Sequence, residues 1–89
     1  MANDSSVSRD EIEARVRDIT AVVLGLDPRT INDASSSQTM PAWSSLAHMN
    51  LVLALEDEFG IEFEERIIPE VMSFRRLCDA LAARVPGAL

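Results

Sequence analysis

The chain has 89 residues, with 15 acidic against 8 basic side chains and a net charge of −7; 47% of it is hydrophobic and 26% charged. That is polypeptide for one core rather than two, too apolar for a disordered tail and too acidic to track nucleic-acid phosphates, which requires clustered Lys and Arg. The apolar runs are too short for a transmembrane helix. The opening MANDSSVS lacks the basic start of a secretory signal, and a single cysteine, Cys78, excludes an internal disulfide or a cysteine-built metal cluster. A monomeric cytoplasmic domain is expected, with no nucleic acid or membrane to bind, Cys78 as a small buried hydrophobe, and basic partner surfaces.

Residues 1–7 are read as a flexible N-terminus. Ser8 followed by Glu11 has the spacing of a capping box, and Ile12, Val16, Ile19, Val23 and Leu26 then recur at steps of four and three. This predicts an amphipathic helix over Arg9–Leu24, ended by Asp27 and Pro28. The stretch from there to Trp43 is rich in Ser, Thr, Asn and Asp and holds Pro41, so it reads as a long loop, a class of segment that is usually functional or mobile.

The second helix starts at a serine pair, with Ser44 as its N-cap, and stops at Gly60. At about 100° per residue, Leu51, Val52, Leu55 and Phe59 share one side while Leu46, Met49 and Leu53 form another stripe. One small core cannot cover both. The first stripe continues into Ile61 and Phe63 and is assigned to the core; the second, edged by Asn50 and Asp57, is a candidate docking surface. Segment 64–68 reads as a turn or short helix, and Pro69 suits the first position of another. Ser73 is the N-cap expected for a last helix carrying Phe74, Leu77, Cys78 and Leu81, before Pro86 and Gly87 close the chain. Three main helices and a short one predict a small all-α four-helix bundle.

Catalysis has little to stand on. His48 lies three residues after Ser45, so the two can touch on one helix, but nothing implies oxyanion donors or a substrate pocket. The bland reading of His48 is a half-buried residue packed against Trp43. The carboxylates Glu56, Asp57, Glu58, Glu62, Glu64 and Glu65 lack the ligand alternation and central glycine of a calcium loop and read as a solvated acidic face. Arg75 and Arg76 read as surface charge rather than a phosphate site.

Taken together, the serine pair, the doubly apolar helix and the acidic exit resemble the acyl carrier protein family over nearly the whole chain. The family's signature is Asp-Ser-Leu at the start of its second helix, followed by a Leu-Glu-Glu-Glu-Phe-Gly-Ile ending. Here Ser44, Ser45 and Leu46 stand at the signature, and LEDEFGI occupies residues 55–61. Trp43 and the AHMNL that follows Leu46 are closer to discrete carriers of polyketide or mixed polyketide and nonribosomal pathways.

The resemblance implies that Ser45 receives 4′-phosphopantetheine from coenzyme A through a phosphodiester, and that the arm's thiol holds acyl groups as thioesters. It implies a non-catalytic carrier with a phosphopantetheinyl transferase, an acyl-loading enzyme and a ketosynthase or other acyl-transferring enzyme as partners. Leu46, Met49 and Leu53 would centre the docking patch beside Ser44 and Asn50, with Glu56 and Asp57 steering basic partners. An acyl slot is expected among Val52, Leu55, Phe63 and Ile67. The residue usually aspartate is Ser44 here, which caps equally well but removes a charge worth roughly 0.3 to 1 kcal/mol at an exposed contact. A peptidyl or aminoacyl carrier, differing in cargo, and an unmodified helical interaction module are the alternatives.

Overall fold

The computed structural model describes residues 8–85, so the readings of residues 1–7, Pro86 and Gly87 lie outside the described residues. Three α-helices, α1 (Arg9–Leu24), α2 (Ser45–Phe59) and α3 (Phe74–Arg84), are joined by 3₁₀ segments at Pro28–Thr30 and Glu65–Glu70. No strand occurs among the described residues, and a single isolated bridge pairs Ser36 with Ser73. The molecule is a small all-α bundle in which α1 packs against both α2 and α3.

Each α-helix begins at a serine whose hydroxyl accepts a backbone N–H three residues on: Ser8 from Glu11, Ser44 from Ala47 and Ser73 from Arg76, each at 3.1 Å. Glu11 does not complete the reciprocal half of a capping box; its carboxylate lies 3.6 Å from Arg15. The end of α1 differs from the expectation. Gly25, at φ 71°, terminates it, and Asp27 instead caps the following 3₁₀ turn by accepting the Arg29 N–H at 2.8 Å.

Ile12, Val16, Leu51, Val52, Leu55, Phe74, Leu77, Cys78 and Leu81 form the buried centre. The face of α1 turns along its length, so that Thr20, Ala21 and Leu24 are buried while Ile19, Val23 and Leu26 lie only partly covered. Pro69 falls inside the 3₁₀ segment rather than opening a helix.

The long loop is pinned rather than loose. Phe74 N–H donates to the Ser35 carbonyl and Ser37 N–H to the Met72 carbonyl, both at 3.0 Å, which ties the loop to the start of α3. Arg17 donates to the Ile31 carbonyl at 3.2 Å and lies over the Phe74 ring, joining α1, loop and α3. Among the described residues no helix is long and apolar enough to cross a membrane.

Candidate functional site

The start of α2 is held from three directions. Trp43 is buried, and its indole N–H donates to Nδ1 of buried His48 at 3.1 Å. An indole nitrogen can only donate, so Nδ1 accepts and the ring proton resides on Nε2, which donates to the Ile68 carbonyl at 2.8 Å. His48 is thus fully buried rather than half-buried, and it fastens the loop, α2 and the second 3₁₀ segment together. Burial pushes its pKa down, partly opposed by the Ile68 carbonyl, and a proton added at Nδ1 would face the Trp43 N–H. Both ring nitrogens are engaged, and neither is paired with Ser45.

On this fixed turn the two serines differ. Ser44 Oγ is committed to the cap, whereas Ser45, the first helical residue, is exposed and its hydroxyl makes no hydrogen bond among the described residues. At a helix start the first N–H groups lack intrahelical partners and carry the positive end of the helix dipole. Unlike α1, α2 has no acidic residue in its first turn to neutralise that end. A phosphate ester on Ser45 fits these surroundings.

Beside Ser45 opens a cavity of about 170 Å³ lined by Ser45, His48, Met49, Ile68, Pro69 and Met72. Val52, Leu55, Phe63 and Ile67, the residues expected to line an acyl slot, are buried in the core and do not border this cavity. Pro69 and Met72 also border a more polar cleft of about 360 Å³ walled by Ser36, Ser37, Gln38 and Arg76. Arg75 and Arg76 are exposed, and Arg76 donates to the Glu70 carbonyl at 3.3 Å.

Further along α2, Leu46, Met49 and Leu53 are 73%, 43% and 58% exposed, and Asn50 and Asp57 are exposed around them. Glu56, expected to steer partners, is half-buried and its carboxylate accepts the Phe63 N–H at 2.8 Å, anchoring the chain after Gly60. Glu64 pairs with Arg84 at 2.8 Å, which holds its carboxyl below the usual range, and Glu58 lies 3.4 Å from Arg15. The acidic exit is therefore part structure and part free charge.

Cys78 is fully buried in α3, and burial pushes its thiol pKa up to about 12. Among the described residues no group of His, Cys, Asp or Glu is arranged to hold a metal ion. Compared with protein-family models, the chain matches none.

Proposed function

We propose that the protein is an acyl carrier of the polyketide or related secondary-metabolic kind, modified with 4′-phosphopantetheine on Ser45. The observation that carries this reading is the division of labour in the serine pair: Ser44 spends its oxygen on the cap, and Ser45 offers an uncommitted hydroxyl at a positive helix end. When bound, the group supplies a thiol that carries acyl chains as thioesters.

The chain's own residues do the remaining work. Trp43, His48 and Ile68 fix the turn that bears Ser45, so the attachment point is presented in one orientation. Met49, Ile68, Pro69 and Met72 offer an apolar wall next to it. Leu46, Met49 and Leu53 provide the centre of a small docking patch, and Asp57 supplies charge attractive to basic partners. Contacts of this size suit brief, salt-sensitive visits to successive enzymes.

The test is intact-mass analysis after incubation with coenzyme A and a broad-specificity phosphopantetheinyl transferase. The expected gain is one phosphopantetheine, absent in Ser45→Ala and retained in Ser44→Ala. An unchanged mass under conditions that modify a control carrier overturns the reading and leaves the exposed stripe of α2 as the surface of an unmodified interaction module. Which enzyme loads the arm then separates acyl from aminoacyl or peptidyl cargo.

A further inference from the structure

Val22 is the most exposed large apolar residue among those described, at 80%, and it lies on α1 rather than on the α2 stripe of Leu46, Met49 and Leu53. It belongs to a groove of about 340 Å³ between α1 and α2. Asp18 and Val22, and Ile19 and Val23, are i,i+4 pairs that form two adjacent rows on α1; Ala54, Asp57 and Glu58 share the facing side of α2. The apolar lining is aliphatic, and each helix also contributes carboxylates, Asp18 from α1 and Asp57 and Glu58 from α2. Arg15 partly neutralises Glu58, but Asp18 and Asp57 have no ion pair among the described residues.

We propose that this groove is a second docking surface, which receives a basic amphipathic helix from a partner protein. Two ridges spaced by helical turns accept the apolar knobs of a third helix, and carboxylates from both helices match Lys or Arg flanking those knobs. The same charges select against other occupants. A second copy of the chain would bring its own carboxylates and a net charge of −7 against these. The surface stands apart from the modification of Ser45 and needs no prosthetic group, although Asp57 places it next to the stripe of Leu46 and Leu53.

The experiment is a titration of the full ¹⁵N-labelled chain with a short helical peptide of leucine and lysine, followed by amide chemical shifts at low and high salt. Shifts centred on Ile19, Val22, Val23, Ala54 and Asp57 that weaken with salt are the expected result. Val22→Asn, which removes the apolar contact without adding charge, should reduce affinity by about tenfold. Asp18→Lys, a change at an exposed position, should also weaken binding, whereas Leu46→Glu should leave it within about twofold. A glutamate counterpart of the peptide should not bind. Shifts centred on Leu46, Met49 and Leu53 with Val22 unmoved, insensitivity to Val22→Asn, or dimerisation of the free chain through this face would each overturn the proposal.

Discussion

Thr20 is fully buried, and its hydroxyl has no hydrogen-bond partner among the described residues. A buried polar atom left unpaired loses its water without replacement. Thr20→Val keeps the shape and removes the polar atom, so it should stabilise the protein by about 1 kcal/mol, raising the calorimetric midpoint by roughly 4–8 °C. Ser44 makes the opposite point, because its oxygen is used. Ser44→Ala should cost about 1 kcal/mol by removing the acceptor for Ala47 N–H. Ser44→Asp should retain the cap and add roughly 0.3–1 kcal/mol, since it puts a negative charge on a first turn that has none. Urea titration of the three proteins should rank them aspartate, serine, alanine.

At the scale of elements, Gly60 sits at φ 67° where α2 ends, and a Cβ there would meet nothing within 4 Å. The strain of Gly60→Ala is therefore purely conformational, about 1 kcal/mol, and should shift the urea midpoint without changing the slope of the transition. This stop was legible in the sequence, as were the three serine caps, because capping is chemistry between residues a few positions apart. The end of α1 was harder to read. Gly25 supplies the left-handed residue, but Asp27–Pro28 is the louder local signal and in fact starts the next turn. Contacts across long separations were not legible. The Ile68 carbonyl is twenty positions from His48, so nothing near His48 announces that its second nitrogen is used or that its ring is wholly buried. Periodicity separated the two stripes of α2 correctly, yet it could not reveal that Glu56 bends back to Phe63 N–H. Nor could it reveal that the space beside Ser45 is bordered by Ile68, Pro69 and Met72, since their position depends on how the 3₁₀ segment packs.

For the whole molecule, His48 links pH to stability, because its ring bridges Trp43 and Ile68 across three segments. Its folded pKa lies below the ordinary value of 6.5. Below that value the unfolded chain takes up a proton that the folded chain resists, so the stabilisation is complete at neutral pH and declines as pH falls from about 6.5 towards the folded pKa. Because one proton is involved, the decline cannot be steeper than about 1.4 kcal/mol per pH unit. His48→Gln should lose this dependence, although both proteins remain acid-sensitive at lower pH, where carboxylates held down by arginine, Asp27 by Arg29 and Glu64 by Arg84, become protonated. Unfolding curves of the two proteins at a series of pH values, followed by emission of the single tryptophan, Trp43, make the comparison.

Cys78 contributes the chain's only sulfhydryl, and the fold keeps it both sealed and protonated at neutral pH. On the proposed reading, a loaded thioester cannot migrate onto the polypeptide that displays it, nor can an idle arm be captured by an internal mixed disulfide. Samples withdrawn during charging and treated with an aromatic disulfide reagent would then tally the arms still unloaded, each free thiol releasing one coloured thiolate, with no background from the folded polypeptide.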